Sequence, residues 1–133
     1  MQFNLFALLA AASTATAAAF SGCEQGDCPD HSAAIDMIET NHNGGDVVTT
    51  SIRVSDGGKC HVFELRDTSY CASFSFHHRP ARACFDTGAM KGTLQFFDLN
   101  PQNPETFCFG LDYEREPSQC ITQIWWFNKY FVC

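Results

Sequence analysis

Lys59-Cys60-His61-Val62-Phe63-Glu64-Leu65-Arg66 and Ser69-Tyr70-Cys71-Ala72-Ser73-Phe74-Ser75-Phe76-His77, separated by Asp67-Thr68, decide the fold class of this chain. Both stretches alternate between large apolar and polar residues, which is the period of a strand with one buried face. Closing them into a hairpin over Asp67-Thr68 sets Leu65 opposite Tyr70, Phe63 opposite Ala72 and His61 opposite Phe74. One face then collects His61, Phe63, Leu65, Tyr70, Ala72, Phe74 and Phe76. The other collects Cys60, Val62, Glu64, Arg66, Cys71, Ser73, Ser75 and His77. A slip of one residue would mix the two sets, so the segregation predicts this register. Cys60 and Cys71 then share a face but stand about 13 Å apart along the ladder. They are expected to bridge to other segments laid over that face, not to each other.

Strand signals continue outward in both directions. Val47 to Val54 sets Val48, Ile52 and Val54 against Thr49, Ser51 and Arg53, and Ser55-Asp56-Gly57-Gly58 reads as a turn. Gly92 to Leu99 and Glu105 to Tyr113 are further strands, joined through Asn100-Pro101-Gln102-Asn103-Pro104, whose prolines exclude a helix. A last strand runs from Ile121 to about Val132. Upstream, Ala34, Ile35 and Ile38 recur at helical spacing, Asp30 or Ser32 can cap the start, and Asn43-Gly44-Gly45 can end it. This predicts one short helix over Ser32 to Thr40. The expected class is α+β, mainly β: an antiparallel sheet as a sandwich or open barrel, one short N-terminal helix, and a disulfide staple. Thirteen phenylalanines, two of them within residues 1–19, are enough to fill its core.

The first nineteen residues have a different character. Leu5 to Ala12 is apolar and uncharged, and Ala15-Thr16-Ala17 and Ala17-Ala18-Ala19 both fit a small-residue cleavage rule. The run is shorter than the roughly 18 to 20 apolar residues a bilayer span needs. Residues 1–19 therefore read as a signal peptide, cut after Ala17 or Ala19. Residues 20–133 read as a single cysteine-rich domain without a membrane span. All eight cysteines (Cys23, Cys28, Cys60, Cys71, Cys84, Cys108, Cys120 and Cys133) fall in that domain. An even count in a short exported chain predicts a disulfide framework, whose connectivity the spacing does not choose. Metal ligation is not expected, since no C-x-x-C pair occurs and the closest two cysteines, Cys23 and Cys28, have four residues between them. No cofactor is expected, and no Asn-x-Ser/Thr acceptor for a glycan occurs.

The formal charge of −7 makes nucleic acid and anionic membranes poor partners. Motifs for serine, metal or phosphate chemistry are missing, and no catalytic residues are assigned. A secreted ribonuclease would need a base, an acid and an arginine on one face. Glu64 and Arg66 share a face, but His77 stands roughly 20 Å up the ladder. His61, on the apolar face, reads as a buried, hydrogen-bonded core histidine. Two segments are candidate binding surfaces. His77-His78-Arg79-Pro80-Ala81-Arg82 concentrates positive charge in what reads as a loop, with His77, His78, Arg79 and Arg82 as contacts. Trp125-Trp126-Phe127-Asn128-Lys129-Tyr130-Phe131 is aromatic on both sides. As a strand it points Trp125, Phe127 and Phe131 one way and Trp126 and Tyr130 the other, which would make Trp126 and Tyr130 anchors if exposed.

Taken together, the leader Met1-Gln-Phe-Asn-Leu-Phe-Ala-Leu-Leu-Ala-Ala-Ala12, the eight spaced cysteines and the lack of enzyme motifs resemble the small secreted cysteine-rich proteins of filamentous fungi, many of them effectors. The resemblance covers the whole chain and is compositional, so it carries over no site residues. It implies a secreted, extracellular monomer that binds a protein or carbohydrate of a host or competitor. A ribonuclease-like enzyme and an antimicrobial or killer-type toxin are the alternatives, the toxin disfavoured by the acidic charge.

Overall fold

A computed structural model describes residues 34–41, 48–115 and 123–133. The expected signal peptide over residues 1–19, and Cys23, Cys28, His31, His42 and Cys120, lie outside the described residues. Eight strands form one antiparallel sheet: β1 Ile35–Asn41, β2 Val48–Asp56, β3 Lys59–Leu65, β4 Cys71–Phe76, β5 Arg79–Asp86, β6 Lys91–Phe96, β7 Glu105–Arg115 and β8 Gln123–Phe131. Their order is β3-β2-β1-β8-β7-β6-β5-β4. Every strand pairs with its neighbour in the chain except at one place, and β1 pairs with β8. The result, among the described residues, is a nearly closed, barrel-like meander with a seam between β3 and β4.

The helix expected over Ser32 to Thr40 is overturned, and no helix occurs among the described residues. Ile35 and Met37 of β1 instead point into the main core with Ile52 and Val54 of β2. Their alternates Asp36 and Ile38 are buried as well, on the outer side. A strand buried on both faces loses polar alternation, and its apolar residues then fit a helical period equally well. The class is therefore all-β and not α+β, and of the two arrangements expected for the sheet, sandwich or open barrel, it takes the barrel-like one as a single curled sheet.

The β3–β4 hairpin is corrected too. β3 pairs only with β2, and β4 pairs only with β5. A two-residue hairpin loop needs positive φ at its first or at both central positions, and neither Asp67 nor Thr68 adopts it. Gly57-Gly58, with φ of 60° and 74°, supplies that geometry between β2 and β3. His77-His78, with φ of 50° and 63°, supplies it between β4 and β5, and histidine tolerates this region better than most residues. At the other end of β4, Tyr70 turns toward β5, its carbonyl accepting the Phe85 N–H at 2.9 Å. The face assignment survives this change of partner: Phe63, Ala72, Phe74 and Phe76 face the core, whereas Val62, Ser73 and Ser75 are exposed.

Side chains fill the interior. Phe85 and Phe109 stack on opposite sides of Phe127, each with ring centroids 4.8 Å from it. Gly92 lies under the same ring; a Cβ there would overlap Phe127 Cε1. Eight-stranded barrels are narrow enough for side chains to occupy the interior in this way. At the β1 side, Arg53 donates from Nε to Asp36 Oδ1 at 2.8 Å and from Nη2 to Oδ2 at 2.6 Å, in a fully buried pair.

Two disulfides, Cys71–Cys84 and Cys108–Cys133, are described in full, and no described cysteine is free. Cys71 and Cys84 face each other directly in the β4–β5 ladder. Cys71 thus finds its partner on the next strand, not in an overlaid segment, and it does not join Cys60. Cys108 of β7 reaches Cys133 just past the end of β8. Disulfides of this kind fit an oxidising compartment.

Candidate functional site

The histidine-arginine stretch is not a loop. His77 and His78 form the β4–β5 turn, and Arg79 to Arg82 open β5, where Pro80 is tolerated near the strand start. Asp56 at the end of β2 fixes the turn from across the seam. Its Oδ2 accepts the His77 N–H at 2.9 Å, and Oδ1 lies 3.1 Å from His77 Nδ1.

Arg79 is occupied structurally. Its Nε and Nη2 each donate to one oxygen of Asp98 at 2.9 Å, and Nη2 also donates to Glu105 at 3.1 Å. Its guanidinium lies 4.0 Å over the Phe96 ring. The hydrogen bond from Arg79 holds the Asp98 carboxyl below its ordinary range, and the bond to Asp98 in turn makes Arg79 harder to deprotonate. Arg82 is exposed between Ser73 and Gln95 on the outer face of β5.

The C-terminal aromatic strand departs from simple alternation. Phe109 pairs with Tyr130, but Leu111 pairs with Phe127, so Asn128 and Lys129 together oppose Gly110. This bulge turns Tyr130 onto the side of Phe127 and Phe109, while Phe131 joins Cys108 on the outer side. Trp125 is buried, Trp126 is half-buried against the outer Ile38–Ile124 cluster, and Tyr130 is 54% exposed. The six expected contacts therefore fall into separate places. His77, His78 and Arg79 lie at the β4–β5 turn, Tyr130 lies in the ladder row of Phe109 and Gly92, and Arg82 and Trp126 lie on the outer faces of β5 and β8.

Two concave surfaces stand out instead. One is a cleft of about 310 Å³ at the seam, lined by Val54, Asp56, His61, Phe63, Phe74, Ser75 and His78. It brings His78 together with His61, which faces inward but is exposed because the seam is open beside it. The larger cleft, about 590 Å³, lies on the opposite rim between the β3–β4 connection and the β5–β6 turn. Thr68, Ser69 and Tyr70 line one side, and Asp86, Thr87, Gly88, Lys91 and Thr93 the other, beside Cys84. Asp67 braces the first wall, Oδ1 accepting from both the N–H and the hydroxyl of Ser69, which lowers the Asp67 carboxyl. Asp86 braces the second, Oδ1 accepting the Ala89 N–H at 2.9 Å. The Cys71–Cys84 bridge ties the two walls together.

Sequence reading missed this rim cleft. Its residues come from two hydroxyl-rich turns, which look like any other turns until the meander sets them side by side. Glu64 and Arg66, the residues weighed for ribonuclease chemistry, stand near this end of β3, and His77 is at the other end of the barrel. Among the described residues, no group of three His, Cys, Asp or Glu side chains is placed to hold a metal ion, and no helix is long and apolar enough to cross a membrane.

No protein-family profile, curated protein or solved structure matches this chain.

Proposed function

We propose that this chain is exported and acts outside its producing cell as a binding protein, contacting a host or competitor molecule through the rim cleft. The observation that carries the reading is the division between interior and rim. Phenylalanines and aliphatic side chains occupy the barrel interior, whereas the rim holds a cleft of about 590 Å³ that mixes hydroxyls with apolar surface, set on two braced turns. A volume in the range of ligand pockets, set on a rigid sheet, suits recognition. Cross-strand disulfides fit an extracellular setting, where they restrict unfolding and hence proteolysis.

Immobilised full-length chain, incubated with extracellular fluid from a host tissue, tests the reading. It is expected to retain a specific molecule that Lys91→Glu, a reversal of charge on the rim, releases. Retention of nothing above a reduced-chain control, or retention indifferent to every rim substitution, would overturn it.

A further inference from the structure

The lining of the rim cleft also indicates the chemistry of its ligand, an inference that rests on the binding reading above. Three hydroxyls, those of Thr68, Thr87 and Thr93, have no hydrogen-bond partner among the described residues. The Ser69 hydroxyl donates to Asp67 and keeps its acceptor capacity. Asp86 uses one oxygen for the Ala89 N–H, and a carboxylate accepts several further donors. Unspent donors and acceptors are thus crowded onto two facing walls.

The cleft's charges cancel. Asp86 and Lys91 are direct cross-strand partners at the closing end of the β5–β6 hairpin, so the lining carries one anion and one cation, the Lys91 ammonium 5.6 Å from the centre of the Phe131 ring. Such a surface attracts neither a phosphate nor an ammonium strongly, and the chain's overall negative charge works further against anions. Tyr70 adds an aromatic side chain with a polar tip, half-buried at the edge of the core. A neutral ligand dense in hydroxyl groups answers all of these features: its hydroxyls pair with Thr68, Thr87 and Thr93, donate to Asp86, and leave C–H faces for the tyrosine ring.

We infer that the rim cleft is a carbohydrate-binding subsite for a neutral oligosaccharide, with Asp86 as its principal acceptor and Thr93 and Tyr70 at its floor.

Amide chemical shifts of the full-length oxidised protein, followed during titration with cellohexaose, laminarihexaose and chitohexaose, test the assignment. At least one sugar is expected to move the amides of Ser69, Thr87, Gly88 and Thr93 at millimolar concentration. Asp86→Asn keeps the acceptor for Ala89 and removes the charge, and should weaken that binding about tenfold. Thr93→Val, nearly the same shape without the hydroxyl, should weaken it severalfold. Shifts that both variants leave unchanged would overturn the site. Failure of all three sugars, with Asp86→Asn still abolishing capture of a protein from extracellular fluid, would overturn the sugar class and leave the binding reading standing. Failure of the sugars and of capture together would remove both.

Discussion

Phe63 of β3 and Phe74 of β4 stack with centroids 5.6 Å apart where the ladder of described strands breaks between β3 and β4. Where backbone hydrogen bonds stop, an aromatic pair holds the seam, and the Asp56–His77 contact fastens its far end. Both rings are partly buried, so truncation costs less than the roughly 3 to 5 kcal/mol of a fully buried Phe→Ala change. Phe63→Ala and Phe74→Ala should each destabilise by about 1 to 2 kcal/mol in urea unfolding. The double variant should lose less than the sum, by about 1 kcal/mol, as contacting aromatic pairs do. Strict additivity would mean that the rings do not support each other.

Gly92 has a steric role. A methyl group at this position falls inside the Phe127 ring, which is itself clamped between Phe85 and Phe109. Gly92→Ala should therefore cost about 1 to 3 kcal/mol, the usual penalty of overpacking. Combining it with Phe127→Leu should recover part of that loss. Unfolding curves that overlay the wild type would show that the three-ring stack is absent.

The Asp36–Arg53 pair is buried from both sides. Removing one partner strands a charge, so Asp36→Ala should destabilise by about 3 to 5 kcal/mol. Replacing both with apolar residues of similar size, Asp36→Leu with Arg53→Met, should be far milder, since no unpaired ion remains. A double variant as damaged as the single would contradict the pairing.

Acid should act at the Arg79 knot. Because the Arg79 hydrogen bond depresses the Asp98 carboxyl in the folded state, its stabilisation is complete above the ordinary carboxylate range. It fades as pH falls through the lowered value, where the folded state must also take up the proton. Melting temperature should drop below about pH 4. Asp98→Asn should lower the neutral-pH value and flatten that acid limb. An identical acid slope in Asp98→Asn would exclude the knot as its source, leaving carboxylates such as Asp67, held low by Ser69.

How far the sequence could be read follows from what is local and what is not. Alternation told which way each residue of β3 and β4 faces, because facing depends only on the strand's own pleat. It did not tell which strands pair. The closure of β1 against β8 joins segments some 90 residues apart, Met37 opposite Trp125, and no short motif specifies it. β1 itself was misread because Asp36 and Ile38, buried behind Ile35 and Met37, erase the polar half of the pattern. Pro80 and the charges of His77 to Arg82 disguised the start of β5, although Ala81, Ala83 and Phe85 alternate inward. In β8 the bulge at Asn128-Lys129 switched Tyr130 to the other side, a one-residue insertion that only the partner strand reveals. The rim cleft was hidden for the same reason: Ser69 and Thr93 meet through topology, not through spacing.

Disulfide mapping of the protein recovered from the cells that make it tests the central claim most directly, because one peptide map reports the meander, its strand partners and whether its sulfurs are oxidised. Proteolysis without reduction, followed by mass spectrometry, should yield one peptide pair joined through Cys71 and Cys84 and another through Cys108 and Cys133. Free, alkylatable thiols at those four positions, or Cys71 linked to any residue other than Cys84, would contradict the account.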